Sequence, residues 1–231
     1  MEKIAYAPPA GRKFNADGSL RPFPGNTVIC FLNDPASNVY QRCVWVQKQL
    51  EAQPFGHKFT LLPPSSLHMT VIQLLCDQDR NPEQWSSKLP LDAPLAATDD
   101  FFINVVPAVP APANFRMQYV KLNAWGGSVS IQLAPTDEAT RQALATYRHA
   151  VAEAAGLHLS DTYFFHISLA YCVRGLTEAE VTQVDDFTAM MDNELSNTFG
   201  IVDTGAPQLT FFDDMFRFVP VDERHTLKTR Q

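Results

Sequence analysis

Two strand-length segments constrain this chain more than any other feature. Residues 67–75 contain His68-Met69-Thr70-Val71, and residues 164–173 contain His166-Ile167-Ser168-Leu169. Both have the pattern histidine, apolar, hydroxyl, apolar. Side chains alternate faces along a β-strand. His68 and Thr70 therefore share one face, and Leu67, Met69 and Val71 share the other. His166 and Ser168 likewise oppose Phe165, Ile167, Leu169 and Tyr171. The apolar face must pack on a core. The polar face then presents an imidazole and a hydroxyl about 6.6 Å apart along the strand. By the same parity Tyr171 and Tyr163 fall on the face opposite His166, which favours core packing, although Tyr163 stands at the very start of the strand.

The rest of the chain supplies the elements that such strands need. Residues 1–26 are rich in Pro, Gly and polar side chains and are expected to form an irregular arm. A continuous apolar run at 27–32 predicts a buried strand. Val39, Cys43, Val46 and Leu50 recur at helical spacing, so 36–53 predicts an amphipathic helix. Strands are expected at 59–62 and 67–75, a short helix near 82–89, and strands at 101–106, 117–123 and 128–133. Gly126-Gly127 marks a hairpin. A helix is expected over 137–155, with Thr136 as cap and Gly156 as stop. Thr177 and Glu180 form a capping-box pattern that opens another helix. A closing hairpin is expected over 208–219, followed by a polar, frayed tail from Asp222. Strand, helix and strand occur once before Leu75 and again between Ser128 and Val173, with one tetrad in each half. The expected fold is α+β: two pseudo-symmetric lobes of antiparallel sheet, with helices on the outer faces and a central cleft. Residues 27–221 form the single bilobal domain, between the arm and a tail at 222–231.

Composition narrows the function. The 231 residues carry a net charge of −7, and the 18 Lys and Arg are scattered. A long nucleic acid is therefore disfavoured as partner, while one phosphate in a small pocket is not. The four cysteines lack CxxC spacing, which fits a reducing cytoplasm better than a disulfide framework. No apolar run reaches the length of a membrane span, and the N-terminus shows no secretory signal. A monomer is expected.

The paired tetrads suit phosphodiester chemistry. One neutral imidazole accepts a proton from the attacking group, and the other, protonated, donates to the leaving oxygen. Histidine populates both states near neutrality, and the hydroxyls can donate to phosphate oxygens. The looser pattern His-x-Ser/Thr also occurs at His158-Leu159-Ser160, but Asp161 breaks the apolar fourth position there. No HExxH spacing supports zinc and no Gly-rich loop supports ATP chemistry, so neither metal nor cofactor is expected.

With these residues in view, the chain resembles the two-histidine (2H) phosphoesterase superfamily, which includes RNA 2′,3′-cyclic phosphodiesterases and 2′-5′ RNA ligase-like proteins. The likeness covers roughly residues 27–219. It implies a bilobal fold with a central cleft, catalytic roles for His68 and His166, and phosphate contacts from Thr70 and Ser168. The proline-rich arm and the acidic balance set the chain closer to a bacterial branch apart from the tRNA-processing members. The expected activity is metal-independent hydrolysis of a cyclic or linear phosphodiester, on a small nucleotide or an RNA-end 2′,3′-cyclic phosphate. The alternative is a non-catalytic nucleotide or RNA-end binding module of the same fold. Arg21 and Phe23, with Lys13, are candidate lid contacts: cations and a ring for stacking a base. Tyr163 is a further candidate substrate contact.

Overall fold

The computed structural model describes residues 7–124, 127–160 and 162–230. Two antiparallel sheets form the framework. The strands are β1 (Gly25–Phe31), β2 (Phe59–Leu61), β3 (His68–Cys76), β4 (Arg116–Asn123), β5 (Ser128–Pro135), β6 (Phe165–Cys172), β7 (Ile201–Asp203), β8 (Gln208–Asp214) and β9 (Arg217–Pro220). One sheet runs β3-β1-β8-β9 and the other β2-β6-β5-β4-β7. The helices are α1 (Asn38–Glu51), α2 (Leu95–Val105), α3 (Glu138–Ala155) and α4 (Glu178–Thr198). β1, α1 and β3 in one half correspond to β5, α3 and β6 in the other. Each helix also reaches into the other half: α1 packs on β6 and α3 packs on β3. One apolar core therefore runs through both sheets, from Val28, Met69 and Val71 to Ile131, Ile167 and Leu169. This is the expected two-lobed α+β architecture.

Several local expectations are corrected. The apolar run at 101–106 lies in and just after α2, not in a strand. Thr98, Phe102 and Val106 are buried at intervals of four, which is a helical face. The segment 82–89 forms turns in place of a helix. The Asn81 side chain accepts from the backbone of Glu83 and Gln84, each at 3.1 Å. Beyond it, Ser86 and Lys88 donate to the carbonyls of Ala155 and Ala154 at the end of α3. The cap of α3 is Asp137, not Thr136, and accepts from Thr140 N at 2.8 Å. Gly156 stops α3 with φ +64°, a conformation that glycine adopts without a Cβ penalty. Thr177 and Glu180 do form a capping box. Gly126 of the expected hairpin lies outside the described residues.

Among the described residues the tail does not fray. Short 3₁₀ turns over Val221–Thr226 and Lys228–Arg230 carry it back onto the first sheet. Arg230 pairs there with Asp99 and Asp213, both at 2.9 Å, and donates to the carbonyls of Phe212 and Gly25. Asp99 is fully buried and also accepts from Asn26 at 3.1 Å. Burial alone raises its carboxyl above the usual range, and Arg230 acts against that rise.

Removing one partner of such a buried pair strands the other, at a cost of about 3–5 kcal/mol. Arg230→Met is expected to lose that much in urea unfolding. Adding Asp99→Asn to it is expected to recover most of the loss. A single variant within about 0.5 kcal/mol of the parent contradicts this account of the tail.

Candidate active site

His68 stands at the first position of β3, directly after the turn formed by Pro64–Ser66. The turn leaves the Ser66 carbonyl outside the sheet ladder, and His68 Nδ1 bonds it at 2.7 Å. His166 repeats the arrangement at the start of β6, with Nδ1 at 2.8 Å from the carbonyl of Phe164. A carbonyl only accepts, so each Nδ1 carries a proton. The neutral form of each ring then leaves the Nε2 lone pair free. The two imidazoles line one cleft, together with Thr70 and Ser168. Among the described residues neither hydroxyl has a side-chain hydrogen-bond partner.

His68 is half-buried beside Phe218, with ring centroids 4.2 Å apart. Burial pushes its pKa down to about 4, and the nearby His166 adds to the fall. The hydrogen bond to Ser66 works against that fall. The neutral form is thus held ready at pH 7.

Both strands carry a β-bulge at the last residue of the tetrad. Opposite β1, Val28 faces Ile72 and Ile29 faces Thr70, so Val71 has no partner. Opposite β5, Val129 faces Ala170 and Ser130 faces Ser168, so Leu169 has none. An extra residue reverses the alternation. Val71 and Ile72 are both buried, as are Leu169 and Ala170. Gln73 and Tyr171 consequently turn onto the cleft face.

This corrects the parity argument that sent Tyr171 to the core, and it adds Gln73, which the alternation had concealed. Two adjacent apolar residues followed by a polar or amphipathic one, in both segments, is the sequence trace of the bulges. The bulge carbonyls are bonded from buried helix side chains. Arg148 of α3 donates to the Val71 carbonyl. Gln47 of α1 donates to the Leu169 carbonyl at 2.9 Å.

Tyr163 precedes β6, where strand parity has no hold, and it lines the cleft. Its hydroxyl donates to the Thr70 carbonyl at 3.3 Å, and Arg148 stacks on its ring at 4.1 Å. Burial pushes its phenol up to about 12. Of the arm residues, Phe23 lines the cleft but is only 5 % exposed. Its ring carries Arg12 at 5.5 Å and Lys13 at 5.3 Å, so it seats cations and offers no open face for a base. Arg21 is exposed and lies outside the lining; Arg12 and Lys13 are the arm cations at the cleft. Phe14, fully buried, wedges between Tyr171 and Phe216 and fastens the arm across the two lobes. His158 lines a smaller cavity beside the cleft, which shares Gln73, Asp79 and Tyr163 with it. Among the described residues no cluster of three or more His, Cys, Asp or Glu forms a metal-binding group.

Two sheets that each present a histidine and a hydroxyl to one cleft define a two-histidine phosphoesterase architecture. The family model described as "2H-phosphodiest: Domain of unknown function (DUF1868)" matches residues 13–128, and the chain belongs to this family, within the 2H phosphoesterase superfamily. The match takes in the arm from Lys13 onward and the first tetrad. A conserved protein of unknown function from Agrobacterium tumefaciens str. C58, ATU0111, is 27% identical with a TM-score of 0.83, over 92% of this chain and 90% of that one. Escherichia coli LigT in its apo form is 13% identical with a TM-score of 0.47, over 87% of this chain and 96% of LigT. TT0787 of Thermus thermophilus is 15% identical with a TM-score of 0.44, over 80% of this chain and 85% of that one. No curated protein matches the chain.

The lowered pKa of His68 has a stability consequence. As pH falls, the unfolded chain takes up this proton near pH 6.5 and the folded chain only near pH 4. Stability from this group is therefore complete above pH 6.5 and lost as pH falls from 6.5 to 4, by up to about 3 kcal/mol. Urea unfolding at several pH values is expected to show this loss in the parent and a smaller one in His68→Gln. Identical pH dependence in both proteins contradicts the burial of His68.

Proposed function

We propose that this protein hydrolyses a phosphodiester on a small nucleotide or an RNA-end 2′,3′-cyclic phosphate, by paired histidine acid–base catalysis without a metal. The matched pair of Nδ1-anchored imidazoles on one cleft carries the reading. His68, kept neutral by burial, is the general base. Its Nε2 takes a proton from water as the water oxygen bonds to phosphorus. His166, as imidazolium, gives its Nε2 proton to the leaving oxygen as the bond from phosphorus to that oxygen breaks. Thr70 and Ser168 donate to the non-bridging oxygens, where charge builds. The product is a phosphate monoester, and solvent returns both rings to their starting states.

Each positioned acid or base is worth roughly 10² to 10⁴ in rate. His68→Ala and His166→Ala are each expected to lose at least about 10²-fold in kcat/KM on a nucleoside 2′,3′-cyclic phosphate, with the fold intact by circular dichroism. The parent is expected to show a bell-shaped pH profile and full activity in EDTA. Full activity in either variant, or loss of activity with chelator, sinks the mechanism. Binding of the cyclic nucleotide with no product would replace the hydrolase with a binding module.

A further inference from the structure

The tetrads account for one phosphodiester, yet the cleft measures about 450 Å³, room for a nucleotide-sized ligand. Its remaining wall is built by the arm and by the residues beyond the bulges. Tyr171 follows Ser168 by three residues, about 10 Å along the strand. Its hydroxyl accepts from Lys13 Nζ at 3.1 Å, and the ammonium also sits 4.6 Å from the Tyr171 ring centre and 5.3 Å from that of Phe23. An ammonium has three donors, and Tyr171 occupies one. Among the described residues no carboxylate pairs with Lys13. The neighbouring Arg12, by contrast, is paired with Asp79, the one acid that lines the cleft among those residues. A half-buried cation is thus held at the cleft wall of an acidic chain with donors left over. Gln73, at the matching position beyond the other bulge, brings an exposed amide into the same cleft.

We propose that Lys13, seated on Tyr171 and Phe23, forms a second anion subsite for a phosphate monoester remote from the scissile phosphodiester. The substrate class is then a nucleoside cyclic phosphate that bears a further terminal phosphate. This rests on the phosphodiesterase reading for what the tetrads hold. The arm, in this light, is a specificity element that measures the substrate from the scissile bond to its far phosphate.

Binding of product-like nucleotides tests the subsite without turnover. Titration calorimetry would compare adenosine 3′-monophosphate with adenosine 3′,5′-bisphosphate on the parent protein. A charge-assisted contact of this kind is worth about 10-fold in affinity or more, so the bisphosphate is expected to bind at least about 10-fold tighter. In Lys13→Met that ratio is expected to fall toward one. Lys13→Arg, which keeps the charge, is expected to retain a preference, and Tyr171→Phe, which removes only a hydroxyl, is expected to reduce it. Equal affinities in the parent, or an unchanged ratio in Lys13→Met, overturn the subsite. If Lys13→Met does not fold, an unchanged ratio in Tyr171→Phe overturns it equally. Preference for the bisphosphate with no turnover of any phosphodiester removes the hydrolase reading and leaves the subsite standing. Turnover without the preference removes the subsite alone.

Discussion

The bulge that ends each tetrad is the constraint on which the site depends. An antiparallel strand without a bulge would hold His, hydroxyl and every later second residue in strict alternation. Here the extra Val71 and Leu169 shift the phase by one. The two apolar residues at each bulge are both buried, and the next position opens to the cleft. A bulge leaves a carbonyl outside the ladder, and a buried carbonyl without a partner is costly. At Val71 that need is met by Arg148 from the helix of the opposite half, while the Leu169 carbonyl accepts from Leu62 N at 2.9 Å and also from Gln47 of α1. Because α1 reaches β6 and α3 reaches β3, the same crossing that ties the lobes into one core also fixes the strands that carry the histidines.

The hydrogen bonds at Nδ1 complete the arrangement. Each histidine sits where its strand begins, so the carbonyl two residues earlier is free to accept. The backbone thereby chooses the tautomer of both rings with a contact that needs no second side chain. The asymmetry between the rings comes from their surroundings. His68 is shut against Phe218, and burial keeps it neutral. The arm then closes the cleft from outside, through Phe14 between Tyr171 and Phe216 and through the backbone bond from Phe23 to Asp213 at 2.7 Å.

Much of this was legible in the residues. The periodicity of Val39, Cys43, Val46 and Leu50 marks α1, and the stop at Gly156 and the box at Thr177 and Glu180 are local chemistry that tertiary structure left alone. The apolar fourth position singled out His68 and His166 from His158. What escaped depends on distant partners. The run at 101–106 has the composition of a strand, and only its burial at intervals of four identifies α2. The docking of Arg230 needs Asp99, more than a hundred residues earlier in sequence. Tyr171 and Gln73 were hidden because parity assumes an unbroken strand. Arg12, not Arg21, lines the cleft, because nearness to the first strand says little about the path of an arm held by Phe14.

The central claim is that both imidazoles, each protonated at Nδ1, present Nε2 to one and the same phosphate. Long-range ¹⁵N–¹H correlation of the histidine side chains, with and without a nucleoside 3′-phosphate, tests it most directly. The account predicts the Nδ1–H tautomer for His68 at neutral pH and a shift of Nε2 on both His68 and His166 when one equivalent of ligand is added. An Nε2–H tautomer at His68, or a response confined to one of the two rings, would contradict it.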